Sequence, residues 1–287
     1  MESGSADGLL LVDKAIGMTS HDAVALARRA LRTRRIGHAG TLDPFASGLL
    51  VMLVGRATRL LPYLDGEPKV YEATIRFGAE TDTADPTGVV VREAPLPDVA
   101  AVDRAITHLT GEIEQIPPVF SAKKIGGVRA YAAARRGEAV ALAPTRIVVH
   151  RWSVRARRAE ELDVEIVCGG GTYVRALARD LGALAGSAAH LVRLRRTRSG
   201  PFSVDDATST DALAAGAHPL RPSRDAVSAM PVQVLADEDV ARIARGMTVS
   251  AELSGDRCAL VDVSGALVAV AERRGDAWQP KVVLRGE

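Results

Sequence analysis

Asp43 stands in the segment Gly37-His38-Ala39-Gly40-Thr41-Leu42-Asp43-Pro44-Phe45-Ala46-Ser47-Gly48, ahead of the apolar run 49–54. Glycines at 37, 40 and 48 let the backbone turn sharply and approach another molecule closely. A carboxylate held there can act as a nucleophile. Asp followed by Pro is also an ordinary helix start, Asp as cap and Pro as first helical residue, and from these residues alone that is the commoner reading. A nucleophilic carboxylate that is buried calls for a cationic partner. A second segment of interest is Gly169-Gly170-Gly171, set between an apolar run and a helical pattern, where a phosphate could be cradled. It lacks both Gly-x-Gly-x-x-Gly and a Gly-Lys-Ser/Thr ending, so a nucleotide-cofactor fold has weak support, and a tight turn is the simpler account.

The elements that must position these groups follow from periodicity and punctuation. The sequence predicts a strand over 9–13, a helix from a Ser20 cap to about 31, a buried strand over 49–54 and a short helix over 57–64. Residues 70–77 read as a strand, with Val70, Ala73, Ile75 and Phe77 set against Tyr71, Glu72, Thr74 and Arg76, the alternation broken at Glu72–Ala73. Residues 80–88 form an acidic turn, Asp98 caps a helix to about 110, and 116–129 reads as loop with a helical stretch over 131–136. Strands fit 146–156 and 162–168, a helix 173–185 and a strand 190–197. A connecting region, 199–228, leads to a helix at 237–245 and two strands, 258–263 and 267–272, joined at Ser264-Gly265, a hairpin signal. Strands and helices mix without regular alternation, which points to an α+β protein with a largely antiparallel sheet rather than a doubly wound parallel one.

At 287 residues the chain has room for one large domain or two smaller ones. With 47% hydrophobic and 25% charged residues it is globular. Aromatics at 3% argue against reading single-stranded RNA through many stacked rings. The net charge of +2 is small, but the cations cluster: Arg28, Arg29, Arg32, Arg34 and Arg35; Lys123, Lys124, Arg129, Arg135 and Arg136; Arg193, Arg195, Arg196 and Arg198. Each cluster alone is a solvated face; three together suit phosphate neutralisation. From residue 230 on the net charge is −2, against +4 for the remainder. Two cysteines 90 residues apart, with no metal-ligand spacing, argue against a zinc site or a disulfide framework. No run approaches the ~20 apolar residues of a membrane span, and the N-terminus lacks the basic start of a signal peptide. The expected location is cytoplasmic.

The segment around Asp43 resembles the active-site motif of the bacterial tRNA pseudouridine synthases of the TruB family, and the resemblance continues in order over roughly 8–204 and more weakly beyond. It implies a pseudouridine synthase fold: a largely antiparallel mixed central sheet flanked by helices over 1–228, and a small PUA-like RNA-binding β-barrel over 229–287. It implies isomerisation of uridine 55 in the T-loop of tRNA, in which the base leaves its sugar at N1, turns and rejoins through C5, with no cofactor and no metal. The partner is the tRNA T-arm, and a monomer is expected. Asp43 would be the nucleophile, which reverses the helix-cap preference. Arg175 matches the arginine that pairs with it, and Tyr71 the tyrosine that stacks on the extruded base or accepts the C5 proton. Tyr173 and Leu194 match positions lining the base pocket, His38 a histidine that helps bind the stem-loop, and Lys14 an opening-motif lysine given a supporting role. Taken without the resemblance, each has an ordinary structural reading: surface arginine, strand tyrosine, core leucine, structural histidine. Residues 118–137, with Ser121, Lys124 and Tyr131, resemble the family's mobile RNA-gripping insertion. Lys123 and Phe45 depart from the residues usual there. The alternative reading is a non-catalytic RNA-binding or tRNA-folding module on the same scaffold. The guide-RNA-dependent branch of the family is disfavoured by the short chain without long basic tails.

Overall fold

The computed structural model describes residues 7–118 and 142–284, and the backbone of Lys124–Ile125 and Val128–Arg129. The expected insertion 118–137 and helix 131–136 therefore lie, all but entirely, outside the described residues. In chain order the elements are β1 (Gly8–Lys14), α1 (Ser20–Ala30), β2 (Ile36–Ala39), β3 (Ser47–Val54), β4 (Lys69–Phe77), β5 (Ala79–Thr81), β6 (Val90–Glu93), α2 (Val99–His108) and β7 (Gly111–Gln115). Two short strands, β8 (Lys124–Ile125) and β9 (Val128–Arg129), precede β10 (Thr145–Arg157), β11 (Glu161–Cys168), α3 (Val174–Leu184), β12 (Ala189–Ser199), β13 (Phe202–Ser203), β14 (Thr208–Ser209) and α4 (Thr210–Ala214). The last elements are β15 (Val232–Val234), α5 (Asp237–Ala244), β16 (Val249–Ser250), β17 (Arg257–Val261), β18 (Leu267–Arg274) and β19 (Ala277–Val283). The expected helix at 57–64 is a 3-10 helix, Gly55–Tyr63, with Pro62 inside it; proline removes the donor that an α-helical turn would use.

The chain divides into two compact units, one of Met1–Leu42, Leu49–Asp65 and Val204–Glu287, the other of Asp43–Gly48 and Gly66–Ser203. In the first, β14, β1 and β3 are successive neighbours, β14 parallel to β1, and β2 lies antiparallel on β3. Leu10, Val12, Leu50, Met52 and Val54 pack there with Ala23, Val24 and Ala27 of α1. The N-cap of α1 is Thr19, not Ser20: Thr19 and Asp22 form a reciprocal capping box. The Ser20 hydroxyl instead accepts from Leu42 N at 2.8 Å and donates to Leu42 O at 3.1 Å, pinning the residue before Asp43. The same unit holds a five-stranded sheet, ordered β15-β17-β18-β19-β16, closed over Trp278, Ile243 and Leu260. The third strand of its meander, β19, escaped the sequence reading because Pro280 breaks its pattern.

In the second unit the strand order is β12-β4-β11-β10-β7, every neighbouring pair antiparallel. Tyr71, Ala73, Ile75 and Phe77 form the buried face of β4, so Tyr71 sits on the apolar side and Val70 on the other, the reverse of the sequence expectation. Opposite them stand Ile166, Val164 and Leu162 of β11. The far face carries cross-strand ion pairs such as Arg76–Glu161 and Arg155–Glu165. Helix α3 buries Val174, Arg175, Leu177 and Leu181. It lies so close to the start of β12 that a Cβ on Gly182 would stand 2.5 Å from Ala189 N. Gly182→Val should destabilise the chain by about 2–3 kcal/mol, as overpacking does, measured by chemical denaturation.

Candidate active site

Asp43 sits in a tight turn, closed by Ala46 N donating to Asp43 O at 3.1 Å. No helix begins at Pro44, so the capping reading fails. The carboxylate turns instead to α3. Arg175 Nε donates to Asp43 Oδ2 at 2.9 Å and Nη2 to Oδ1 at 3.2 Å, a bidentate fork. The arginine side chain is 5% exposed and that of Asp43 35%. One edge of the carboxylate is thus fixed and the other faces outward.

The remaining edge of Arg175 is used as well. Its Nη1 donates to Thr83 O at 2.9 Å and lies 3.7 Å from Asp85 Oδ2. Asp85 is buried, its Oδ1 accepting from Thr87 N, Thr87 Oγ1 and Thr83 Oγ1 at 3.0, 2.6 and 2.8 Å. The sequence reading assigned 80–88 no role beyond an acidic turn. The signal was there, a carboxylate among Thr and Gly, but nothing local says which cation it meets. Gln115 was missed too: its side-chain amide accepts from Tyr173 N at 2.9 Å and donates to Tyr173 O at 3.1 Å. It thereby holds the first turn of the helix that carries Arg175.

Tyr71 is 7% exposed. Burial raises its phenol above the usual value; the nearby Arg196 guanidinium opposes the rise, and Cys168 and Asp43 add to it. The phenol therefore stays protonated at neutral pH. Leu194 is buried opposite Ala73, and Tyr173 is half-buried at the N-terminus of α3. Asp43, Tyr71, Tyr173, Arg175 and Leu194 all belong to one unit. Lys14 and His38 belong to the other. Lys14 is fully buried, its Nζ donating to Ala15 O and Met18 O at 2.9 and 2.6 Å, which ties down the loop after β1. His38 lies on β2 with its ring edge-on to His21, centroids 5.9 Å apart.

Arg196 was expected in a solvated or phosphate-facing cluster with Arg193, Arg195 and Arg198. It is 1% exposed instead, because a bulge between Leu191 and Arg193 reverses the alternation of β12 and turns Leu194 and Arg196 inward. The phosphate-cradle reading of the glycine run also fails. The Glu67 carboxylate lies against Gly170, and its negative charge opposes an anion there. Among the described residues, no group of His, Cys, Asp and Glu is placed to hold a metal. Both cysteines are buried and unpaired, and burial pushes their thiols up to about 11 (Cys168) and about 12 (Cys258).

Comparison with known proteins bears on this geometry. The profile described as "TruB family pseudouridylate synthase (N terminal domain)" matches residues 28–174. That described as "tRNA pseudouridylate synthase B C-terminal domain" matches 175–228. The tRNA pseudouridine synthase B of Thermobifida fusca (strain YX) is 44% identical, over 98% of this chain and 99% of its own. That of Nocardia farcinica (strain IFM 10152) is 54% identical over 72% of this chain and 70% of its own. The crystal structure of a Cbf5-Nop10-Gar1 complex aligns with a TM-score of 0.71 and 25% identity, covering 97% of this chain and 85% of that one. The α+β architecture with its mixed sheet is thus the pseudouridine synthase fold, and on matches of this length the chain belongs to the TruB family of pseudouridylate synthases.

Proposed function

We propose that the chain is a tRNA pseudouridine synthase that isomerises uridine 55 of the T-loop, with Asp43 as nucleophile. The observation that carries this is the Asp43–Arg175 fork: a carboxylate fixed on one edge and open on the other. It occurs in a chain whose relatives are named tRNA pseudouridine synthase B. The N1–C1′ bond breaks, the C5–C1′ bond forms, C5 loses a proton and N1 gains one. The balance needs no oxidant, reductant or added water. The target base must leave its stack, at a cost of a few kcal/mol offset by stacking and phosphate contacts. In this reading Tyr71, Tyr173 and Leu194 receive the uracil, His38 helps bind the stem-loop, and Lys14 has a supporting structural role through the loop after β1. Residues 229–287 act as a PUA-like RNA-binding module in addition to the catalytic domain 1–228. A cytoplasmic monomer completes the proposal; among the described residues no helix is long and apolar enough to cross a membrane.

A non-catalytic RNA-binding module would have no use for a carboxylate held open on a guanidinium, so that reading is disfavoured. The test is mass-spectrometric mapping of an unmodified tRNA transcript after incubation with the purified chain. One pseudouridine, at position 55, is expected. Binding of the tRNA with no isomerisation at enzyme excess would establish the module instead.

A further inference from the structure

Gln115 closes β7 and is 1% exposed, a neutral polar side chain inside the fold. Its primary amide engages one residue of another element with both of its ends. Nε2 donates to Tyr173 O at 3.1 Å, and Oε1 accepts from Tyr173 N at 2.9 Å. Tyr173 is the N-cap of α3, at φ −101° and ψ 107°, and its own side chain makes no capping bond. Helix starts leave their first N–H groups without intrahelical partners. The cap usually comes from the N-cap side chain itself; here an acceptor comes from a strand 58 residues earlier. Tyr173 O also accepts the first helical bond, from Leu177 N at 3.1 Å. The Gln115 amide thus holds the peptide groups at which the chain enters the helix, one as acceptor and one as donor. The next turn is tied to the same stretch, Arg179 Nη2 donating to Ile116 O at 2.9 Å. Arg175 lies between the two ties and carries the fork to Asp43. All these groups belong to one compact unit.

We propose that Gln115 is a positioning residue for the isomerisation: by holding both main-chain groups of Tyr173 it sets the entry of α3, and with it the alignment of the Arg175 guanidinium on the Asp43 carboxylate. This deepens the function proposed above and rests on it. The amide is committed to Tyr173, so Gln115 acts through Tyr173 and Arg175 and not on the substrate. A shift of the fork by about an ångström would turn the open edge of Asp43 away from the nucleotide, and displacements of that size cost up to about 10²-fold.

The test uses the full chain carrying isotope-labelled tyrosine, read by amide NMR, the Tyr173 signal being identified by its loss in Tyr173→Phe. Gln115→Met keeps the length and burial of the side chain without either hydrogen bond. In it the Tyr173 amide proton should move upfield and exchange with solvent at least about ten-fold faster, while the Tyr71 amide stays in place. Single-turnover isomerisation should fall at least about ten-fold with tRNA affinity within about three-fold of the parent, a split that marks loss in the transition state alone. In an Arg175→Lys background the same substitution should cost less than about three-fold, because the fork it aligns is already gone. Gln115→Asn, whose shorter stem cannot bring the amide to both groups, serves if Gln115→Met does not fold, and should show the same split. A Tyr173 amide unmoved by the substitution, a parental rate, a loss carried by affinity alone, or full additivity with Arg175→Lys overturns the proposal while the parent still isomerises. A parent that makes no pseudouridine removes the functional reading, and this proposal with it; the Tyr173 shift then reports a structural cap alone.

Discussion

Asp43→Asn should fold, bind tRNA and make no measurable pseudouridine. The amide keeps the size and one acceptor of the carboxylate but loses the charge that the proposed nucleophile needs. The loss should amount to at least about 10³-fold in kcat/KM, read as a transition-state term because substrate affinity is retained. A stability cost accompanies it. Arg175 is buried and loses the partner that both its Nε and Nη2 address, with Asp85 left as the nearest carboxylate at 3.7 Å. Breaking a fully buried pair costs about 3–5 kcal/mol. Asp43 is about one-third exposed, so solvent screening reduces this to about 1–2 kcal/mol. Denaturation and tRNA binding measured on the same preparation separate the two effects. A variant that folds, binds and still isomerises at a tenth of the parental rate or better would remove Asp43 as nucleophile.

Much of this site is legible in the sequence. Local rules place most of the elements: the Asp98 cap, the 2-residue period of β11, and the glycine break before α3. The pairing of Asp43 with Arg175, 132 residues apart, was not derivable from spacing; it came from the resemblance of two motifs, and the fork confirms the pairing as geometry. What the sequence hid has physical causes. A β-bulge shifts the face of every residue after it, so Arg196 reads as one of four exposed arginines although Val192 takes the extra place in β12 and turns it inward. At the start of β4 the apolar Val70 and the amphipathic Tyr71 compete for the inner face, and hydrophobicity alone chooses wrongly. Thr19 and Ser20 are both good caps by type, serine slightly the better; only the long-range partner, Leu42, decides which hydroxyl is needed elsewhere. Asp85 and Gln115 are ordinary residues locally, and their roles arise only where β7, α3 and the turn after β5 meet.

Arg175 makes the second large prediction. Arg175→Lys should retain the fold and lose about 10²-fold or more in turnover. An ammonium is a point charge that satisfies one carboxylate oxygen, whereas the guanidinium holds both and anchors to Thr83 O with its third nitrogen. The carboxylate would then rotate, and misplacement by about an ångström is enough to cost that factor. Arg175→Met removes the charge and leaves two acidic side chains, Asp43 and Asp85, facing an apolar stem. That variant should be less stable than Arg175→Lys. It should recover stability when Asp43→Asn is added, because the unpaired charge is the source of the cost. The double-mutant cycle therefore carries a non-additive expectation for each of its two readouts. Stability should be sub-additive, the second change relieving the first. Turnover should be flat, since either substitution alone already abolishes the oriented nucleophile. Additive stability losses would mean that Arg175 serves the fold through α3 alone, and that its contact with Asp43 is incidental to both.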